Sequence, residues 1–320
     1  MGIPFLPRRT QVAVKVEGTE GTDAVPTASD VIHPVFGVEY TPEFTMFNRD
    51  VVQPSLSRLR QISAEQQATI TFSTELKGSG TAVDDPPPNL SAPFQGCGMA
   101  ETITGATNVV YDPSSASNSS VTVEIRELEG ATVAKIKKIV GARGTFTIEA
   151  VKSQAVLVNF TFTGRYVEPT EGVALTVPTP SPVPEPFLNV GFSFHGVSTL
   201  NVQNVTLDIG NELSTRNDVN QATGNFSTVI VARNPVGSID PEQELIATIN
   251  FFNKLTTDAT GVLTYTLGGT AFNIVTINCP AVEIINIAEA DRDSFRTEAI
   301  DLQLSQSGSA GDDEIKLTFT

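Results

Sequence analysis

Alternation of apolar and polar residues at every second position constrains the fold of this chain more than any other feature. Within residues 156–163, valine and phenylalanine alternate with asparagine and threonine, and residues 315–320 alternate in the same way. This period is typical of β-strands with one buried face. Because the pattern closes both the stretch 139–167 and the tail from Val282, the sequence predicts an internal duplication.

A proline-rich segment separates the two predicted copies. Residues 168–186, EPTEGVALTVPTPSPVPEP, disfavour both helix and central strand and predict a stiff, extended linker. We therefore predict a first unit with an N-terminal arm over residues 1–167 and a second unit over residues 187–320. Each unit is expected to be a mainly β sandwich or half-barrel with a short flanking helix.

Two helices and two loops complete the predicted organisation. Leu90 to Cys97 have the spacing of a short helix, which Pro93 and Gly96 limit. A second helix is predicted to begin at Asp240 as N-cap and to extend to Leu255. The segments 45–65 and 211–225 lack periodicity and are predicted to be long polar loops, and such loops are often functional.

Charged residues in these two loops are the candidate inter-subunit contacts. An arginine beside an aspartate occurs in both loops, and further arginines follow in the first, although the chain is poor in positive charge. The alternative is that these side chains are merely solvated, since surface ion pairs contribute little stability. The candidates are Arg49, Asp50, Arg58, Arg60, Arg216 and Asp218.

Composition and the absence of motifs favour a structural protein over an enzyme. The formal charge of -16 repels nucleic-acid phosphates and argues against specific DNA binding. The two histidines, His33 and His195, lie near no cysteine or paired acid in sequence, so a metal site or catalytic triad is not expected. The acidic stretch 308–314 favours a hairpin turn over a calcium loop. We predict no enzymatic activity, no cofactor and no metal.

The sequence also predicts where the chain folds. Two cysteines in 320 residues do not form a disulfide framework. The first ten residues do not have the pattern of a signal peptide, and no apolar run is long enough to span a membrane. We expect synthesis in a cytoplasm and no membrane anchor.

Several consecutive segments together resemble a known family. They are EGTEGTDAVPT, RDVVQPSLS, STELKGSGTAVDDPPP leading into FQGCGMAET, VVYDPSS, KIVGARGTFTIEA with VLVNFTFTGRY, and the final EIKLTFT. Over nearly the whole chain, the sequence resembles the tail tube (major tail) proteins of long-tailed bacteriophages, in the form with two tandem tube domains.

The resemblance implies a structural subunit of the virion tail. It implies trimeric, pseudo-hexameric rings, with a homohexamer as the alternative, stacked into a hollow tube through which DNA passes without specific binding. Long loops reach neighbouring rings, and the tape measure, tail terminator and distal tail proteins are the implied partners. An acidic wall would keep the genome from adhering during ejection into the host.

Three alternatives differ from a long, flexible tail tube. The first is the inner tube of a contractile tail or a related injection machine, which a neighbouring sheath gene would indicate. The second is a β-sandwich adhesin or binding module, which the absence of tryptophan disfavours. The third is a hydrolase, for which no acid pair or nucleophile is found in the sequence.

Overall fold

The protein is almost entirely β-structure. The structure is a computed structural model and describes residues 4–116, 118–179 and 182–320. Its strands are β1 Thr10–Val16, β2 Val31–Ile32, β3 Phe36–Phe47, β4 Ile62–Glu75, β5 Met99–Thr104, β6 Asn108–Pro113, β7 Val121–Glu129, β8 Val133–Val151, β9 Leu157–Val173, β10 Ser193–Phe194, β11 Asn204–Asp208, β12 Asn211–Asn217, β13 Asn225–Arg233, β14 Val236–Ile239, β15 Gly261–Leu267, β16 Val275–Arg292, β17 Phe295–Leu304 and β18 Lys316–Phe319. The helices are α1 Ser91–Gly96, α2 Phe251–Thr256 and a 3-10 turn at Ala28–Asp30. The predicted mainly β fold is confirmed.

One antiparallel sheet of eight strands runs through both halves of the chain. Its order is β3-β4-β9-β8-β11-β14-β17-β16. Strand β8 belongs to the first half and pairs with β11 of the second half, with Ile148 opposite Leu207. The eight strands therefore form two sets of four, which join at the β8–β11 seam.

The long strands β8 and β16 each belong to two layers. The first part of β8 pairs with β7, which pairs with β1, and a register shift between Val140 and Arg143 precedes its pairing with β11. The first part of β16 likewise pairs with β15, and a shift between Ile284 and Asn286 follows. Such bulges bend a strand, so each long strand passes from the eight-stranded sheet into the opposing layer.

The two halves repeat the same order of elements. β1, β3, β4, α1, β7, β8 and β9 correspond to β10, β11, β14, α2, β15, β16 and β17 in sequence order and in pairing. The predicted duplication of element order is therefore present in the topology. The boundary itself, with units at 1–167 and 187–320, stays a prediction.

The two halves share one hydrophobic core. A single cluster of buried residues extends from Val12 to Phe319. The C-terminal strand β18 pairs with β16 and with β6 of the first half, and the ring of Phe319 meets that of Tyr111 edge-on at 5.6 Å. The C-terminal strand thereby fastens the second half to the first.

The structure extends β9 into the segment predicted as linker. β9 continues through Val173, and its pairing with β8 shifts register between Ile136 and Lys138, opposite Pro169. A proline is tolerated in a strand at such a bulge or at an edge, and β4 no longer pairs with β9 beyond Arg165. Strand structure in this segment thus ends at residue 173, and residues 180 and 181 lie outside the described residues; the stiff linker stays a prediction.

The prediction that the second helix begins at Asp240 was wrong. The Asp240 carboxylate accepts hydrogen bonds from the backbone N–H groups of Gln203 and Asn204, at 2.9 and 2.7 Å, instead of capping a helix. α2 begins after Asn250, whose side chain accepts from the Asn253 N–H at 2.9 Å. Asp240 does accept hydrogen bonds from backbone N–H groups, as an N-cap residue would, but these groups lie at the start of β11 and not in a helix. The short helix near Leu90 is confirmed.

The prediction of a loop over residues 211–225 was also wrong for just over half of this segment. It forms β12 and the start of β13, which pair as a separate two-stranded sheet. The loop predicted at 45–65 is shorter than expected, because β3 extends to Phe47 and β4 begins at Ile62. The buried residues of β13, which include Asn225, Ser227 and Thr228, are polar, so the apolar period-two signal is absent there.

Candidate assembly surfaces

Four of the six predicted contact residues lie together in one exposed loop. Arg49, Asp50, Arg58 and Arg60 are in the connection between β3 and β4, and all four are exposed. Within the described part of the chain they make no ion pair or hydrogen bond. Their charges are therefore available to another molecule.

The other two predicted residues are engaged within the chain. The Arg216 guanidinium lies 3.2 Å from the Glu20 carboxylate and stacks over the Phe226 ring at 5.1 Å. The Asp218 carboxylate accepts from the backbone N–H and the side chain of Asn220, and these hydrogen bonds lower the pKa of Asp218. The sequence presented the two loops as equivalent, but their charged residues differ. Those of the first loop have no partner within the described residues, whereas those of the second loop do.

The connection between β3 and β4 carries exposed apolar side chains as well as charge. We call residues 44–65 the β3–β4 arm; it comprises the end of β3, the connecting loop and the start of β4. Its exposed large apolar residues are Phe44, Met46, Phe47, Val51, Val52, Leu56 and Ile62. Val52 and Leu56 are fully exposed. Exposed apolar side chains concentrated in one segment are typical of an interaction site.

The corresponding segment of the second half is folded onto the first half. The β12–β13 hairpin contacts β8 through Asn211, whose side chain donates to the Gly144 carbonyl at 2.9 Å. It contacts β4 through the Thr223 carbonyl, which accepts from the Gln66 N–H at 3.0 Å. Asn225 is almost fully buried in this contact. The hairpin is therefore hydrogen-bonded to two strands of the first half.

A buried arginine links the hairpin to the first half. The Arg143 guanidinium donates to the Glu20 carboxylate at 2.7 Å, to the Thr228 carbonyl of β13 at 2.5 Å and to the Asn118 carbonyl at 2.7 Å. Burial alone would raise the pKa of Glu20, but the hydrogen bond and charge of Arg143 lower it below its ordinary value. This cluster holds three separate segments together.

Both ends of the eight-stranded sheet are open edges. β3 pairs only with β4, and residues 283–292 of β16 pair only with β17, within the described residues. Unpaired strand edges promote association with another chain unless they are covered. Val38 and Tyr40 at one edge and Ile287 at the other are only partly buried against the core.

One face of the eight-stranded sheet is polar and acidic. The register places Glu39 on β3, Glu149 on β8, Glu283 on β16 and Asp301 on β17 on the face opposite the core. Threonine, serine and asparagine fill much of the rest of this face: Thr69, Thr71, Ser73, Thr145, Thr147, Asn159, Thr161, Thr163 and Thr206. Its arginines, Arg143 and Arg165, are hydrogen-bonded at the end beside the β12–β13 hairpin.

No arrangement typical of catalysis is found in the described residues. Within them, no group of three or more histidine, cysteine or acidic residues could hold a metal ion. Burial raises the pKa of Cys97 well above its ordinary value, so the thiol is inert. A search of the described helices finds none long and apolar enough to cross a membrane.

Sequence reasoning missed the open edges, the acidic face and a short repeated motif. Pro4-Phe5-Leu6 precedes β1, and Pro186-Phe187-Leu188 precedes β10. This match was visible in the sequence and would have aligned the two halves by residue. The edges could not be found, because they depend on which strands pair.

Comparison with known proteins identifies a family. The family model described as phage tail tube protein matches residues 7–320. No curated protein matches the chain.

Proposed function

Because the chain belongs to the phage tail tube protein family, we propose that three copies close into a pseudo-sixfold ring and that stacked rings form a hollow conduit for DNA. The family assigns the protein a structural role in the tube of the virion tail. The ring, its stoichiometry and the conduit are the proposed part.

The β8–β11 seam carries the proposal of a three-chain ring. At this seam the last strand of one four-stranded set pairs with the first strand of the next. Repeating the same step between chains would pair β16 of one copy with β3 of another. An interface between two different surfaces closes into a ring when its rotation permits, and closure covers both open edges, as in a barrel. Six sets of four strands then require three chains.

The correspondence of strands also gives a register for the proposed contact. Leu207 of β11 faces Ile148 of β8, and both lie on the core side. Val38 on β3 and Ile287 on β16 likewise lie on the core side of the two open edges, where they are only partly buried. We therefore expect Val38 and Ile287 of neighbouring copies to lie opposite each other, where each would complete the burial of the other.

The acidic face supplies the lumen in this proposal. Glu39, Glu149, Glu283 and Asp301 would face the passing DNA, with neutral hydroxyl and amide side chains between them. Negative charge repels phosphates, and the scarcity of available arginine on this face leaves few groups to hold the genome. DNA would thus pass without specific binding.

The β3–β4 arm provides contacts to other copies in the assembled tube. Its arginines Arg49, Arg58 and Arg60, with Asp50, are exposed beside apolar side chains. Arg216 and Asp218 are less suited to this role because they already have partners in the chain. The tape measure, terminator and distal tail proteins are the proposed partners at the lumen and the tube ends.

Electron microscopy of the purified protein tests the proposal. We expect hollow tubes or rings, and class averages with three chains and six similar lobes per ring. Rings of six chains would replace the trimer by a hexamer, and a preparation of monomers at every concentration would overturn the tube.

We assign the tube to a long, flexible tail of a phage assembled in the host cytoplasm. The resemblance of the sequence to tube proteins of such tails supports this assignment. A sheath-protein gene beside this one would overturn it in favour of a contractile tail.

A further inference from the structure

The motif Pro-Phe-Leu occurs at the start of each half, and its two copies differ in one respect. Leu6 and Leu188 are equally exposed, at 51% and 50%. Phe187 is buried at 5% exposure, whereas Phe5 is 47% exposed. The two segments run beside corresponding strands, since the Arg9 carbonyl accepts from Leu128 of β7 and the Val190 carbonyl from Thr266 of β15.

The turn between β8 and β9 covers Phe187. The Phe187 N–H donates to the Gln154 carbonyl at 2.8 Å, and its carbonyl accepts from the Ser153 N–H at 3.3 Å. Pro186 forms a bridge with Ala155 in the same turn. On its other side, the Phe187 ring meets the Tyr265 ring of β15 edge-on at 5.5 Å. The second half is thus attached to the first at the end of the β8–β9 hairpin.

Phe5 borders an open cleft at the corresponding place. The cleft has a volume of about 280 Å³ and is lined by Phe5, Leu6, Val38, Tyr40 and Ile125, among others. Ile125 of β7 occupies the position that Tyr265 occupies in β15, by its pairing with β8. The Tyr40 hydroxyl is buried without a hydrogen-bond partner among the described residues. Both features indicate a site that the chain itself leaves incomplete.

The repeat specifies what should complete it. The β8–β9 turn covers Phe187, and β16–β17 is the hairpin that corresponds to β8–β9. We propose that the cleft beside Phe5 receives the β16–β17 turn, residues 292–295, of a second copy of this chain. The turn is exposed, and Phe295 at its end is 62% exposed.

The charges of the two surfaces are complementary. Arg8 and Arg9 lie three and four residues after Phe5, and Lys137 lines the cleft together with Glu127, with which it forms an ion pair. Residues 289–296 at the end of the β16–β17 hairpin carry Glu289, Asp291 and Asp293 against Arg292 and Arg296, a net charge of -1. Opposite potentials of this kind favour encounter in one orientation and oppose association of like surfaces.

This inference rests on the proposed ring, and cysteine cross-linking tests it separately. In a chain with Phe5→Cys and Phe295→Cys, assembled at a protein concentration raised to offset the loss of the Phe5 ring, a short bismaleimide should join neighbouring copies in the tubes. Because the ring closes, the covalent products should stop at three chains. The natural Cys97 and Cys279 are buried and do not compete.

A matched control and three outcomes decide the question. The control pairs Phe5→Cys with Val219→Cys, which is fully exposed on the turn of the β12–β13 hairpin, and should give no ladder. Tubes without cross-links in the test pair, or with equal cross-linking in the control, would overturn the contact. Cross-linked products of more than three chains would place the contact between rings and overturn the proposal that it lies within a ring. Absence of tubes from the unsubstituted protein would overturn the proposed function itself.

A second variant measures the contact without cross-linking. Phe5→Ala should raise the protein concentration needed for assembly by about tenfold or more, since buried aromatic anchors dominate interfaces. The control Leu188→Ala removes an equally exposed side chain from the matching motif and should leave this concentration unchanged. Equal assembly of the Phe5→Ala variant and the unsubstituted protein would contradict the proposal.

Discussion

The two halves of the chain differ in how their first elements are covered. In the second half, β11 pairs with β8, Phe187 lies under the β8–β9 turn, and the β12–β13 hairpin is folded onto the neighbouring half. In the first half, the edge of β3, the ring of Phe5 and the β3–β4 arm are exposed. The same architecture is therefore complete in one half and open in the other.

This difference agrees with the proposed ring, in which the β8–β11 seam is a copy, within one chain, of the interface between chains. A surface that joins two similar halves covalently linked in one chain can also join separate chains, if the same faces are available at the ends. Both faces are available, one on β3 and one on residues 283–292 of β16. In the proposed ring, the neighbouring copy covers the open half.

The largest effect should come from removing the covered phenylalanine. Phe187→Ala should lower the free energy of unfolding of the unassembled protein by about 3 to 5 kcal/mol, because a buried ring is lost and a cavity remains. Phe5→Ala should lower it by less than about 1 kcal/mol, because half of that ring is already in water. Urea unfolding, at a protein concentration too low for assembly, measures the free energy of unfolding of both variants.

Equal losses of stability in the two variants would contradict this difference between the halves. They would mean that Phe5 is as well packed within its own chain as Phe187, and that the open cleft is not open. A loss of stability confined to Phe187→Ala would support this difference, because only Phe187 would then be shown to pack against a neighbouring segment in the unassembled chain.

A smaller effect should separate the two arginines that share Glu20. Arg143→Met should destabilise the unassembled protein by about 3 kcal/mol, because it leaves buried carbonyl and carboxylate groups unpaired. Arg216→Met should cost less than about 1 kcal/mol, because its side chain is 54% exposed. Thermal unfolding of the two variants provides the measurement.

The comparison also predicts how the β12–β13 hairpin responds. Loss of Arg143 should increase hydrogen exchange at residues 225–228, where its guanidinium meets the Thr228 carbonyl. If Arg216→Met loosened the hairpin to the same extent, the buried cluster would not be what holds it.

Acid should weaken the second half through His195. Burial, followed by the charge of Lys254, lowers the pKa of His195 to about 4 from 6.5. Between these values the unfolded chain binds the proton and the folded chain does not, so stability falls as the pH falls from 6.5 to 4. Discounted for solvent screening at a partly exposed ring, the loss is about 1 kcal/mol.

His195→Asn should remove this part of the pH dependence. Asparagine tolerates the positive φ of 50° at this position better than most residues do. The difference in free energy of unfolding between pH 7 and pH 4.5 is the quantity to compare. A difference that is unchanged in the variant would show that His195 does not contribute.

The strands with a buried face were predictable from the sequence. In the stretch 156–163 and in the hairpin before and after Gly268, alternation or turn residues determine the structure locally. The duplication of element order followed from the same signal. These features depend on short-range pattern, which a single sequence contains.

The surfaces that matter for assembly were less predictable. The β12–β13 hairpin has its polar residues buried, as at Asn225, so its pattern is typical of a loop. Asp240 caps the backbone of another segment instead of a helix, and nothing in its neighbours indicates this. The loop bearing Arg58 and Arg60 was located correctly, because its lack of any buried face is itself visible in the sequence.

The smallest effect on the folded chain, and a large effect on assembly, are expected at that loop. The double variant Arg58→Glu, Arg60→Glu should change the free energy of unfolding by less than about 0.5 kcal/mol, because both side chains are exposed and unpaired within the described chain. It should shorten or abolish tubes seen by electron microscopy, since the arm would carry negative charge toward an acidic neighbour. Lys135→Glu, at an exposed lysine on β8, gives a control for half of this change in net charge. If the loop acts through its charge, raising the salt concentration should shorten tubes of the unsubstituted protein and lessen the difference between the two proteins. Tubes of ordinary length from the double variant would show that the arm acts through its apolar residues alone. The β3–β4 arm and the β12–β13 hairpin would then differ less than the charges of the arm suggest.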